Sequence, residues 1–336
     1  MNLPSIEQII EQLHGERPRS PRIEVRPLRG GLESSAVLQV TMEFQDRLGR
    51  RRTSKIVAKR LDGAGAREAA IYQRLVSDHA RDLAPRLLAV DHPGDRPSFL
   101  YLEHVRPVRK WPWRNVEAAE GLIHGLARFH SATAAAHAAA LLPPWDYEAE
   151  LKRSGEAVLE LLGRCRHSDF APLARFLPPV GRLALALPAM RRELLAFTPF
   201  GNAAIHGDVH PGNVLVRRRA GAEKAILIDW GRARRGSPLE DVSSWLQSLA
   251  YWEPQARRRH DSLLAAYFSD RGARLSTDMR AAYWLSAASN VFSGALEYYL
   301  RLVVDPAPGV ALHRRAAAHS ACDLLRILRR AAAVWS

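Results

Sequence analysis

Two carboxylates and an amide stand close together in the second half of this chain. The run Ile205-His206-Gly207-Asp208-Val209-His210-Pro211-Gly212-Asn213-Val214-Leu215-Val216 is followed by Ile226-Leu227-Ile228-Asp229-Trp230-Gly231. A carboxylate, an amide five residues on and a second carboxylate closing an apolar strand suit a divalent-metal phosphoryl-transfer site. One Asp can accept the proton of an attacking hydroxyl. The Asn and the other Asp offer hard oxygens to magnesium, which keeps water and phosphate oxygens in its remaining positions. Pro211-Gly212 bends the loop so that the side chains can converge. The same residues leave other chemistries open. His206, Asp208 and His210 could bind a transition metal through their imidazoles, or the stretch could be purely structural. Individually, His206 and His210 read as loop braces, because phosphoryl transfer needs positioning and charge neutralisation more than extra bases.

Around these residues the pattern divides in two. From about Ile23 to Val105 it is mostly period two: strands are expected at Ile23 to Leu28, Ala36 to Phe44, Thr53 to Arg60, Leu87 to Asp91 and Phe99 to Val105. One helix, Ala66 to Ser77, interrupts them, and an amphipathic helix is expected within Met1 to Ser20. After Pro107 the periodicity is helical, at Val116 to Ala139, Tyr147 to Leu162, Ala184 to Phe197, Leu239 to Tyr251, Asp261 to Phe268, Met279 to Val304 and Val310 to Trp335. Strand-like pieces at Val214 to Arg217 and Ala225 to Ile228 break that half. The expectation is an α+β chain with a small five-stranded lobe over residues 1–105 and a larger helical lobe over 106–336.

Composition narrows the partners. The 336 residues carry 49 Lys+Arg against 35 Asp+Glu, a formal charge of +14, with 47% hydrophobic residues, which excludes disorder as the main state. Only Lys55, Lys59, Lys110, Lys152 and Lys224 are lysines, so a lysine closing the apolar strand Ile56-Val57-Ala58-Lys59 is not background. Glu68 follows near the start of the next helix, a carboxylate able to hold it. Cys165 and Cys322 match no metal or redox spacing and suit a reducing compartment. No apolar run approaches the roughly 20 residues of a spanning helix, and a cytoplasmic, membrane-free protein is expected. The arginine runs at 50–52, 217–219 and 257–259 are scattered and lack interleaved aromatics, which argues against nucleic acid.

These motifs together resemble those of the aminoglycoside phosphotransferase and choline kinase family, relatives of the protein kinases. The family's H-G-D-x-H-x-x-N loop matches residues 206–213, and its I-D-W metal loop matches 228–230. The resemblance implies a protein-kinase-like bilobal fold, ATP (or GTP) as donor and Mg2+ as cofactor. It makes Asp208 the catalytic base or hydroxyl-orienting residue and Asn213 and Asp229 the magnesium ligands. Lys59 and Glu68 match the strand lysine that grips the phosphates and the helix glutamate that holds it. Gly30, Gly31 and Ser34 match the phosphate-covering loop, without the full G-x-G-x-x-G. Glu103 and Val105 stand at the hinge, where backbone would meet the adenine. Leu126 to His130 is similar to the family's L-A-x-L-H helix, with His130 as a buried brace. Gly236 to Asp241 is similar to G-D-P-x-x-D, with Asp241 as an anchor and Ser237 in place of the usual Asp.

The resemblance implies transfer to a hydroxyl of a small molecule, an antibiotic, metabolite or biosynthetic intermediate, or alternatively of Ser or Thr in a peptide, as in lanthipeptide-type biosynthesis. A pseudokinase is disfavoured because Lys59, Asp208, Asn213 and Asp229 are all present. Arginines at 217–219, 232, 234 and 235 flank the loops and favour an acceptor that is not strongly cationic.

Overall fold

The computed structural model describes residues 6–28, 36–61, 67–91, 98–108, 116–143, 145–197, 201, 203–219, 221–305 and 311–334. They form two compact units.

The first unit is built on an antiparallel five-stranded sheet. Its strands are β1 (Arg19–Pro27), β2 (Ala36–Gln45), β3 (Arg51–Leu61), β4 (Leu87–Asp91) and β5 (Ser98–Glu103), in the order β1-β2-β3-β5-β4. Alternation decides the faces. Val40, Met42 and Phe44 of β2 and Ile56 and Ala58 of β3 are buried with Tyr101 of β5. Helix α1 (Ile6–His14) lays Ile9 and Ile10 onto that face, each burial stabilising by roughly 1.5–3 kcal/mol. Lys59, one residue on from Ala58, therefore projects from the opposite face.

Helix α2 starts at Arg67–Ile71, widens to a π turn over Tyr72–Val76 and ends at Ser77–His79. Its face of Ala69, Ile71, Tyr72, Leu75 and Val76 is buried, and the Ser77 hydroxyl bonds the Tyr72 carbonyl at 2.8 Å within the widened turn.

The segment from Pro211 to Ala233 belongs to this unit too, as do residues through Gly125. This differs from a division at residue 105. The hairpin of β7 (Val214–Arg219) and β8 (Ala222–Leu227) is tied in by backbone bonds from Leu227 N to Leu83 O (2.6 Å) and from Val108 N to Val216 O (2.8 Å). A boundary drawn in chain order does not register such returns.

The second unit is helical, with one short ladder. Helix α3 (Val116–Ala135) enters it at Leu126. It also holds α4 (Tyr147–Cys165), α5 (Leu177–Ala196), α6 (Pro238–Trp252), α7 (His260–Asp270), α8 (Thr277–Asn290), α9 (Leu296–Val304) and α10 (Ala311–Val334). Side-chain caps start several of these: Asp146 accepts from Ala149 N, Ser237 from Leu239 N and Ser276 from Met279 N.

Two boundaries differ from expectation for local reasons. Pro178 and Pro179 begin α5 rather than precede it, because proline's missing N–H costs nothing in a first turn. The long segment from Met279 to Val304 is broken by Ser293 and by Gly294, whose φ of 119° no ordinary helix allows. A ladder unmarked by sequence pattern pairs β6 (Ala203–Ile205) with β9 (Arg234–Gly236). Among the described residues no helix is long and apolar enough to cross a membrane.

Candidate active site

In the first unit Lys59 is the meeting point. Its Nζ lies 2.7 Å from Glu68 Oε2 and 2.7 Å from Asp229 Oδ1. Burial works to lower the ammonium's pKa, but the two carboxylates outweigh it and hold Lys59 above its ordinary value. Glu68 is only 1% exposed, and burial raises its carboxyl against the pull of Lys59. Its second oxygen accepts from Trp230 N at 3.1 Å, which fixes the helix carboxylate to the backbone beside Asp229. Arg67 adds a second tie, donating to the carbonyls of Gly231 (3.1 Å) and Pro143 (3.0 Å).

Asp229 itself sits at φ 64°, ψ 64°, a left-handed conformation that costs a non-glycine residue about 1–2 kcal/mol. Trp230, fully buried and bonded from Nε1 to Leu227 O, holds the turn that imposes it. Ile228 N bonds to Asn213 O at 2.9 Å, so the two residues expected to ligate metal flank one backbone contact. The Asp229 side chain is 44% exposed, whereas Asn213 is buried. One carboxylate with an oxygen beyond the one held by Lys59, and one amide oxygen, are hard donors that suit magnesium. Among the described residues no group of three or more His, Cys, Asp and Glu is placed to hold a metal, as an imidazole-rich site would require.

The second unit holds Asp208 and its supports. Asp241, fully buried, accepts from His206 N (2.7 Å), Gly207 N (2.8 Å) and His130 Nε2 (3.1 Å). Burial would raise this carboxyl, but the donors hold it below the ordinary value. His130 completes a relay, taking the Tyr267 hydroxyl at Nδ1 over 2.9 Å. His206 accepts from Asp208 N at Nδ1 over 3.2 Å, which makes it a backbone brace, and Gly207 takes φ 82° between them. The partly exposed Asp208 carboxylate has His210 Nε2 at 3.7 Å.

The remaining sequence-predicted positions are distributed as follows. Gly30, Gly31 and Ser34 lie outside the described residues. Glu103 ends β5 with its side chain committed to Arg217 (2.8 Å) and Arg86 N (3.2 Å), and its own N–H goes to Arg86 O. Val105 is buried two residues on. Ser237 caps α6 as an Asp would, so its departure from the usual residue leaves the helix start intact.

The flanking arginines are not a free basic field. Arg217 pairs with Glu103, Arg218 with Glu223, and Arg234 is buried against Glu240. Sequence reasoning missed Arg67, Glu240 and the buried role of Arg234; arginine is so common here that neither Arg67 nor Arg234 stands out.

A sheet-based unit with a lysine–glutamate pair and a loop anchored on a buried aspartate are what a protein-kinase-like fold requires. Solved structures agree with that class. A choline kinase from Streptococcus pneumoniae superimposes with a TM-score of 0.55 at 14% identity, covering 96% of this chain and 97% of its own. A Plasmodium vivax ethanolamine kinase gives 0.55 at 9%, covering 92% and 83%. A spectinomycin phosphotransferase, solved with ADP and spectinomycin, gives 0.53 at 13%, covering 97% and 98%. At these identities the likeness establishes the fold, which is protein-kinase-like. No curated protein matches the sequence. The profile of the phosphotransferase enzyme family matches residues 24–285, and the chain belongs to that family. It is a phosphotransferase enzyme.

Proposed function

We propose that this enzyme moves the γ-phosphoryl group of ATP or GTP to a hydroxyl of a small molecule, with Mg2+ as cofactor. The observation that carries the reading is the Lys59 ammonium 2.7 Å from both Glu68 and Asp229. Glu68 has no route to solvent and serves to aim the lysine. Lys59 then presents a fixed positive charge to the nucleotide's phosphates. Asp229 and Asn213 would hold Mg2+, which when bound neutralises charge on the phosphate oxygens.

Asp208 is the base in this reading. It accepts a hydrogen bond from the acceptor hydroxyl, orients it for in-line attack and takes its proton as the new O–P bond forms and the bond from the γ-phosphorus to the departing ADP or GDP oxygen breaks. His206, occupied with Asp208 N, is left to hold the loop. Glu103 has its N–H engaged with Arg86, so a purine at this segment would use the Glu103 carbonyl and the Val105 backbone.

With Arg217 and Arg218 each paired to a carboxylate and Arg234 buried against Glu240, the acceptor is defined by its hydroxyl rather than by an anionic group.

The test is nucleotide turnover and a hydroxyl-acceptor screen with labelled ATP and GTP. Asp208→Asn should keep the fold and nucleotide binding while turnover falls by about 10²–10⁴-fold, the usual range for a positioned base. Full turnover in that variant would remove Asp208 from the mechanism.

A further inference from the structure

Arg234 enters β9 opposite Ile205, the residue that leads into the Asp208 loop. Its side chain is 1% exposed, and a guanidinium keeps its proton in any protein environment, so a full cation is buried here. Such a charge needs partners, and one of them is shared. Glu240, equally buried, accepts from Arg234 Nη2 at 3.0 Å and also from Arg191 Nε at 2.6 Å and Nη2 at 3.3 Å. One carboxylate thus serves two guanidinium groups. The Tyr147 ring stabilises both cations, with the Arg234 guanidinium 3.8 Å and that of Arg191 4.5 Å from its centroid. A network built for stability alone would do as well with a simple pair or with apolar side chains.

The bond that leaves this cluster shows its use. Arg234 Nη1 donates to Gly207 O at 3.1 Å. That oxygen belongs to the peptide group whose nitrogen is Asp208 N, and Asp208 N–H donates to His206 Nδ1 at 3.2 Å. Both polar ends of the Gly207–Asp208 peptide plane are therefore held, one by Arg234 and the other by His206. Because a peptide group is planar, fixing its two ends fixes the direction in which Asp208 leaves the backbone. Asp241 holds the preceding N–H groups of His206 and Gly207 but does not reach this plane's carbonyl.

We propose that Arg234 is a positioning residue for Asp208, held in place by Glu240 and Tyr147. This rests on Asp208 acting as the base. Lysine at 234 keeps the charge but lacks the planar fork, so it cannot reach Gly207 O and Glu240 together while lying on Tyr147.

The probe is MgATP turnover without added acceptor, water taking the phosphoryl group, read as ADP release. Arg234→Lys should lower turnover about 10- to 100-fold, the scale of a misplacement of about 1 Å, with the nucleotide KM within about twofold. Arg234→Gln, which leaves Glu240 to Arg191 and cannot span Glu240 and Gly207 O, carries the test should Arg234→Lys fail to fold. If Arg234 acts only structurally, turnover measured well below the variant's Tm matches the wild type; if it positions Asp208, turnover stays low there. In an Asp208→Asn background, Arg234→Lys should cost nothing further, because its effect runs through Asp208. Wild-type turnover in either folded Arg234 variant, or an additive loss in the Asp208→Asn background, would overturn the proposal. Wild-type turnover in Asp208→Asn alone would instead fail the base assignment, so the two failures are distinguishable.

Discussion

The molecule contains two charge clusters that mirror one another. Around Lys59, one cation is shared by two carboxylates, and one of them, Asp229, is 44% exposed. Around Glu240, one carboxylate is shared by two cations, and all three side chains are buried. The first has a net negative charge and an open side, which is the state of a site ready to take a further cation. The second joins two guanidinium groups to one buried carboxylate with no open side, and a tyrosine face and a backbone carbonyl are among its further partners. Similar chemistry is thus left open to a ligand in one unit and closed off in the other, and accessibility makes the difference.

If that contrast is right, the two clusters should separate activity from stability. Asp229→Ala should reduce nucleotide turnover about 10³-fold or more, because the proposed function makes Asp229 a ligand of Mg2+ in the transition state. Folding stability should change by only about 1 kcal/mol, since Lys59 keeps Glu68 and the lost carboxylate is 44% exposed. A loss of several kcal/mol by urea titration would make the Asp229 corner structural and erase the contrast.

Glu240→Ala is the reciprocal case. It leaves two guanidinium groups in the protein interior without their carboxylate and should cost about 3–5 kcal/mol of stability. Urea midpoints measure this directly, and a cost under about 1 kcal/mol would show that the ring and carbonyl partners suffice.

The two clusters also differ in how far the sequence discloses them. Lys59 is conspicuous because lysines are so few and because Ile56, Val57 and Ala58 mark a strand leading into it. Asp208, Asn213 and Asp229 carry their spacing openly, and the geometry adds that Asp229 pays a left-handed backbone to reach Lys59. Arg234 is different. In Arg232-Ala233-Arg234-Arg235 nothing local distinguishes the buried arginine from its neighbours, and its partners Glu240 and Tyr147, with the Arg191 that shares them, come from three helices. The same limit explains the fold's surprises. Proline fits both the end and the first turn of a helix, so Pro178-Pro179 reads either way until packing decides. The return of residues 211–233 to the sheet-based unit depends on Leu83 and Val108, far away in the chain.

The smallest expected effect is a pH dependence that belongs to the rigid unit. Arg271 donates to the Tyr267 oxygen at 2.8 Å, Tyr267 donates to His130 Nδ1, and His130 Nε2 donates to Asp241. This one-way relay uses His130 in its neutral form, because Nδ1 must accept; a proton there would force the Tyr267 hydroxyl to turn away. Burial acts in the same direction and holds His130 below its ordinary value of 6.5, although Asp241 pulls the other way. As pH falls below 6.5 the unfolded histidine gains a proton before the folded one does. Stability is therefore full above that pH and declines as the solution is acidified toward the folded-state value. His260, held by burial at about 4, adds a slope of its own, so the informative quantity is the difference between variants. His130→Gln removes one titrating group while keeping a side chain able to donate to Asp241. Its urea-derived stability should fall less between pH 7 and about pH 5 than that of the unsubstituted enzyme. Equal slopes would mean that His130 titrates alike in the folded and unfolded chain, and a steeper fall in the variant would mean that His130 carries its proton in the folded protein; either result would overturn the neutral relay.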